Sequence, residues 1–298
     1  MKQKRNDISI LIPTYNTSCA TLVGEIYEQA EILGINYEII VAEDGSTDTA
    51  CIKANEEALA PLPLGRHLVR EKNVGRAAIR NFLASESKGT WLLFIDSDMT
   101  VNRPDFLQKY LEADDGNVID GGVSIDGNSS ELGGNLRFLY EKAAAQEHTA
   151  KRRSLRPYHH LHTANLMVRR DVMLSCPFDE RFRHYGYEDV LLGKQLRQQR
   201  VPILHIDNPL SFSTFEANRA FVSKTEEGIR TLHEFRDDLR GYSSLLTLAE
   251  GIHVAPVRWF LQLLFRLFAA PMRRNLCGSR PCIRLFKLYK LGYYLTLK

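Results

Sequence analysis

Four short apolar runs constrain this chain more than any other feature: ISILIPTY (8–15), YEIIVAEDGSTD (37–48), HLVREKNVG (67–75) and WLLFIDSDM (91–99). The first is closed by Pro13, and residues 18–33 then carry Leu22, Ile26, Ala30 and Leu33 at helical spacing. A second helical stretch fills 49–60, and GRAAIRNFLASES reads as a third that stops near Gly89. Strands that are apolar throughout leave no face for water. Alternating with helices, they imply a parallel sheet covered on both sides. Ligands of such sheets bind beyond the carboxyl ends of the strands, where Asp44 and the pair Asp96 and Asp98 stand. Three carboxylates from two strands are therefore expected at one edge.

Taken alone, Asp-Gly-Ser-Thr-Asp after Glu43 reads as a turn and helix cap. An aspartate pair reaching the same edge weakens that reading, because like charges gathered there are costly unless they share a cation. Period-two alternation lets Asp96 and Asp98 point the same way, and hard oxygen ligands suit Mg2+ or Mn2+. A cation of that kind usually holds a diphosphate.

Beyond residue 104 the pattern changes. Residues 117–130 read as a Gly-rich hairpin or edge strand, 131–150 as helical, and the basic, aromatic KRRSLRPYHHLHTAN (151–165) as a loop. HTANLMVRRDVML reads as a strand and a turn of helix. FDERFRHYGYEDVLLGKQLRQQR reads as a loop entering a helix at Glu188 or Asp189, and VPILHIDNP as a strand. Residues 215–240 show the amphipathic spacing of Val222, Ile229, Leu232, Phe235 and Leu239.

In order and spacing, ISILIPTYN, IIVAEDGSTD, NVGRAAIRN and WLLFIDSDM resemble the nucleotide-sugar half of family 2 glycosyltransferases of the GT-A fold. HTANLMVRR and FDERFRHYGYEDVLLG extend the resemblance to the acceptor-side Glu-Asp motif of the galactosyltransferase and chondroitin-polymerase branch, so that it covers roughly residues 7–240. It implies an α/β fold, a Rossmann-like and mostly parallel central sheet flanked by helices. A GT-A domain over 1–250 would have its nucleotide-binding half at about 1–100 and its acceptor-binding half at about 101–250, followed by a basic amphipathic helical tail at 251–298.

By the same resemblance, Pro13, Thr14 and Tyr15 border the nucleobase and Asp44 reads the uracil edge, making a UDP-sugar the expected donor. Asn73, Gly75, Arg76 and Arg80 lie beside the nucleotide and diphosphate. Arg76 and Arg80, four apart, share a helix face, where a guanidinium could neutralise phosphate or simply be solvated. Asp96, beside Ser97, binds ribose or a water on the metal, and Asp98 ligates the Mn2+ or Mg2+ directly. Asp189 is the general base and Glu188 its acceptor-binding neighbour, although the pair also fits a plain helix cap. Asn165, His162, Tyr185, Gly186 and Tyr187 match acceptor-side positions, with His162 equally readable as a packed histidine. The implied chemistry is inversion at the anomeric carbon without a covalent sugar intermediate. Relatives often place a third metal ligand, a His, after the strand matching VPILHIDNP. This chain has NPLSFSTF there, with Phe212 near the position; His205, the nearest histidine, alternates within the strand as a structural residue does.

The net charge of +3 is unevenly spread. Residues 251–298 hold nine Lys or Arg and no acid, so the first 250 residues carry −6. The tail's longest apolar run is interrupted by Arg266 and bounded by Pro256 and Pro271, too short and charged to span a bilayer. Its aromatics and cations suit a surface helix pair against anionic lipid, or helices that only cap the domain; it is too greasy for nucleic acid. The basic N-terminus runs directly into a strand without a cleavage site, and Cys19, Cys51, Cys176, Cys277 and Cys282 are scattered and odd in number. A reduced protein, peripheral on the cytoplasmic face of the membrane, is expected. The expected activity is sugar transfer to a glycan or lipid-linked acceptor in surface polysaccharide synthesis. Two other readings stand beside it. A sugar nucleotidyltransferase would want a Gly-rich phosphate loop that PTYNTSCAT lacks. An inactive membrane-associated scaffold fits the missing histidine but not the intact Asp98 and Asp189.

Overall fold

The computed structural model describes residues 5–127, 129–159 and 161–298; the basic start at residues 1–4 lies outside them. A seven-stranded sheet runs in the order β3-β2-β1-β4-β8-β6-β9. Its strands are β1 (Asp7–Thr14), β2 (Asn36–Asp44), β3 (Gly65–Arg70), β4 (Trp91–Ile95), β6 (Val118–Asp120), β8 (Asn165–Arg169) and β9 (Ile203–His205). A small sheet, β5-β10-β7, joins β5 (Met99–Thr100), β7 (Val123–Ser124) and β10 (Leu210–Phe212).

The first four strands are mutually parallel, with Ile10 paired to Ile39 on one side and Leu93 on the other; β1, β2 and β4 are apolar and buried, whereas β3 is a part-buried edge strand. β8 alone runs against its neighbours β4 and β6. Side-chain alternation splits the core in two. Ile8, Ile10, Ile12, Val41 and Leu93 pack under α1 (Ala20–Leu33), α2 (Thr49–Leu59) and α4 (Phe106–Glu112). Leu11, Ile40, Ala42, Leu92 and Phe94 face α3 (Arg76–Glu86), α8 (Arg170–Ser175), α9 (Glu188–Gln198), α10 (Asn218–Glu234), α11 (Arg236–Leu239) and α12 (Ser244–Gly251).

Three expectations change. The hairpin or edge strand expected over 117–130 becomes two strands in different sheets: β6 lies inside the main sheet between β8 and β9, and β7 is an edge strand of the small sheet. The 151–165 segment is not all loop, because α7 (Ala150–Leu155) forms there around Arg153. That side chain is fully buried and donates to the carbonyls of His148, Asp120, Gly121 and Ile206 at 2.8–3.1 Å. In 131–150, helix is broken into α5 (Ser129–Leu132), α6 (Leu136–Ala144) and a short 3-10 turn.

The tail forms α13 (Ala255–Leu276) and α14 (Ile283–Thr296). Phe286, Tyr289, Tyr294 and Leu295 of α14 are buried against the body, and Phe265 of α13 packs on Gly292, where a Cβ would stand 2.2 Å from its ring. The outer face of α13 keeps Val257, Trp259, Phe260, Leu267 and Phe268 exposed. Pro256 sits in the first turn and Pro271 inside the helix, which runs on past it. No helix among the described residues is long and apolar enough to cross a membrane.

Candidate active site

The site is assembled where β1, β2 and β4 end. β2 ends in Asp44, whose carboxylate accepts the Val74 and Gly75 amides at 2.9 and 3.0 Å. It thereby fastens the turn before α3. Gly75 has φ +91°, and a Cβ there would lie 2.7 Å from the Arg183 carbonyl; at Gly45, φ +70°, it would lie 2.3 Å from the Asn73 amide. Neither position accepts a side chain. Burial lifts the Asp44 carboxyl above its ordinary range despite the two amides. Asp48, four residues on, is the helix cap: it accepts from Ala50 and Cys51. The Asp-Gly-Ser-Thr-Asp run thus contains both the cap and a strand-end acid.

Beyond β4 the alternation lapses. The Asp96 carbonyl accepts the Met99 amide at 3.1 Å, closing a tight turn, and β5 begins at once. Both carboxylates still line one cavity, but they meet different partners. Asp96 meets Arg80 at 2.6 Å and Arg76 at 3.7 Å. Burial would raise its pKa, but the two guanidinia hold it below the usual carboxylate range. Asp98 faces the cavity, with Arg137 Nη2 4.0 Å away; burial and then Asp96 push its pKa up. Its backbone is clamped from β10, since its carbonyl accepts the Ser213 amide at 2.8 Å and the hydroxyl at 3.0 Å.

Arg80 lines the same cavity and is held between two carboxylates. Its side chain is 2% exposed and bridges Asp96 to Glu188 Oε1 at 3.2 Å, tying the first half of the chain to the start of α9. Glu188 is accordingly buried and committed to Arg80. Asp189 lies beside it in the first turn of α9, accepting the Val190 amide at 2.7 Å. Burial, with Glu188 adding to it, pushes the Asp189 carboxyl up to about 6. Before it, Gly186 and Tyr187 have φ of +97° and +71°, the second a conformation that costs a non-glycine residue energy.

A cavity of about 710 Å3 collects Pro13, Thr14, Tyr15, Asp44, Asn73, Gly75, Arg76, Arg80, Asp96, Ser97, Asp98 and Tyr185. That volume falls in the range of about 300–1,000 Å3 typical of ligand pockets. A smaller one, about 270 Å3, is lined by Arg76, Tyr185, Gly186, Tyr187, Glu188 and Asp189. The two share Arg76 and Tyr185, whose ring carries the Arg76 guanidinium at 5.0 Å. A wider groove of about 1230 Å3 opens over α3 and α8 but contains neither Asp96 nor Asp98.

Three expected site residues lie elsewhere. Asn165 is fully buried and saturated: its amide donates to the Gly122 and Asn208 carbonyls, and its oxygen accepts from Tyr110 at 2.7 Å, so it braces the sheet instead of touching an acceptor. His162 joins a polar cluster, 3.4 Å from Asp120 and 3.1 Å from His148. His205 is buried in the same cluster, with Nδ1 2.8 Å from Arg153 and Nε2 3.0 Å from the Pro157 carbonyl, and is no metal ligand.

Several lining residues escaped the sequence reading. Arg137 and Lys224 enter the larger cavity from α6 and α10, and Glu141, Phe286 and Lys290 the smaller one, the last two from the tail. Their helical stretches were visible, but nothing local marks which helix face meets a strand end forty or more residues away.

Among the described residues no group of three or more His, Cys, Asp or Glu could hold a metal. Asp98 offers the cavity a carboxylate suited to a hard divalent cation. Asp96 is spent on two arginines, and Phe212 stands under the Arg137 guanidinium, 4.4 Å from its ring centre.

Residues 9–174 match the model of glycosyl transferase family 2. A dolichol-phosphate mannosyltransferase of Pyrococcus furiosus is 32% identical over 109 residues, and the succinoglycan biosynthesis protein ExoO of Rhizobium meliloti 31% over a segment of the same length. These segments cover 36% and 37% of this chain and only 29% and 30% of the two relatives. An uncharacterised glycosyltransferase of Haemophilus influenzae is 24% identical over 224 residues, 72% of this chain and 71% of that protein. In structure, the mannosyltransferase of Pyrobaculum calidifontis in complex with GDP-mannose and Mn2+ aligns over 99% of this chain and 89% of its own, with TM-score 0.58 and 14% identity. With its seven-stranded α/β core and strand-end acids, the chain belongs to glycosyl transferase family 2 and has the GT-A fold.

Proposed function

We propose that this glycosyltransferase moves a sugar from a nucleotide-sugar donor, UDP-linked, onto a hydroxyl of a glycan or lipid-linked acceptor, with inversion at the anomeric carbon. The observation that carries the reading is the pair of adjoining cavities: the larger holds Asp44, Asp96 and Asp98, the smaller holds Asp189, and Arg76 and Tyr185 form their common wall. Donor and acceptor would meet across that wall.

In this mechanism Tyr15 and Asp44 border the nucleobase, and Arg76 lies along the diphosphate. Asp189 takes the proton from the acceptor hydroxyl. The freed oxygen attacks the anomeric carbon on the face opposite the diphosphate, and the bond from that carbon to the β-phosphate oxygen breaks with its electron pair leaving on the nucleoside diphosphate. A carboxylate whose pKa is lifted to about 6 is a stronger base than an ordinary aspartate while still ionised at neutral pH. Bound through Asp98, Mn2+ or Mg2+ would supply positive charge to the departing diphosphate.

The test is release of nucleoside diphosphate from a panel of UDP-sugars, with GDP-mannose added because relatives are named for mannose transfer, in Mn2+ or Mg2+. Asp98→Ala and Asp189→Asn serve as controls. Turnover with one donor that falls in both variants supports the assignment, and turnover indifferent to both removes it. The exposed apolar face of α13, beside Arg266 and Arg274, supports peripheral contact with an anionic membrane surface, which we place on the cytoplasmic side.

A further inference from the structure

Two cations in the larger cavity share one carboxylate partner, Glu216. Arg137 is only 11% exposed, yet its nearest carboxylates, Asp98 at 4.0 Å and Glu216 at 3.6 Å, are too far for charge-assisted hydrogen bonds. Lys224 draws on the same Glu216, at 3.2 Å, and lies 4.7 Å over the Tyr185 ring. Burial, followed by repulsion from Arg76, lowers its pKa, and Arg137 adds to this. One glutamate thus serves two cations, while Arg76 approaches from α3 on the other side. Cations crowded in a part-buried cavity are costly unless an anion joins them. Phe212 gives the Arg137 guanidinium a ring to lie on, at 4.4 Å, which holds it toward Asp98 and the end of β4.

We propose that Arg137 and Lys224 form a protein-built clamp for the donor's diphosphate, so that a nucleoside diphosphate binds without a divalent cation. The clamp reaches across from α6 and α10, elements of the half opposite the nucleobase strands, and so draws the two halves together on the phosphates. The proposal rests on reading this cavity as the nucleotide-sugar site.

Isothermal titration of UDP and GDP into the full chain, first in EDTA and then in excess Mn2+, tests it. One nucleotide is expected to bind in EDTA with a Kd within about tenfold of its value in Mn2+. Arg137→Ala and Lys224→Met, each checked for an unchanged melting transition, are expected to weaken binding in EDTA by about ten- to a hundredfold, the loss of one charge-assisted contact. Arg137→Lys should restore part of the loss. The matching nucleoside, lacking phosphates, should bind wild type and Arg137→Ala alike. Binding that requires Mn2+, or that ignores both variants in EDTA, overturns the clamp but leaves the nucleotide-sugar reading standing. Absence of binding by either nucleotide in both conditions overturns both.

Discussion

The two aspartates that follow β4 are separated by one serine and chemically unlike. Asp96 is fixed by two guanidinia, whereas Asp98 is left facing the cavity with a raised pKa. Replacing Arg80 by Met strands Asp96 and Glu188 without their shared cation, and a loss of about 3–5 kcal/mol is expected from chemical denaturation. A loss below about 1 kcal/mol would mean that the triad does not hold the halves together. Asp189 makes the opposite trade. Its folded pKa, about 6, lies above the unfolded value, so the folded state binds the proton more tightly. Its ionisation therefore costs stability that returns as pH falls through 6. Asp189→Asn keeps an acceptor for the Val190 amide, and should raise the melting temperature at pH 7.5 while cutting turnover by about 10²–10⁴. In wild type, kcat should decline as pH drops through about 6.

Among the elements, the tail helices differ most from one another. α14 is docked on the body through Phe286, Tyr289, Tyr294 and Leu295, whereas α13 turns Trp259, Phe260 and Leu267 outward at 64%, 53% and 64% exposure. Changing those three to Ser should leave the melting transition within about 0.5 kcal/mol of wild type, as exposed substitutions do. It should also sharply reduce co-sedimentation with vesicles of anionic phospholipid. Undiminished sedimentation would show that α13 is not the contact. Charge alone could not have separated the two helices, since Arg258, Arg266, Arg273 and Arg274 on one are answered by Arg284, Lys287 and Lys290 on the other.

In the whole molecule, the tail belongs to the same packed body as the catalytic sheet, because Tyr294 and Leu295 enter the core cluster of Leu92 and Phe94. Truncation after residue 282 should therefore lower and broaden the thermal transition, not merely release the protein from membranes. A sharp transition at the wild-type temperature would count against this packing. Much of the rest was readable beforehand. Runs such as ILIP, IIVA and WLLFI are apolar on both faces, and only an interior parallel strand satisfies that, so the first four strands and the acids at their ends follow from local chemistry. Asp44 and Asp98 could be named for the same reason: a charge at the end of a buried run must emerge at the sheet edge. What the sequence could not decide depends on distance along the chain. Asn165 and His205 carry polar groups like any ligand, and only the approach of Tyr110, Asn208 and Arg153 makes them structural. The resemblance already gave Asp96 and Asp98 different roles, but which charges each one meets depends on Arg80 arriving from α3 and Arg137 from α6. Local pattern determines which side chains are buried or brought to an edge; tertiary packing decides which charges they meet there, and so which of them remain free for chemistry.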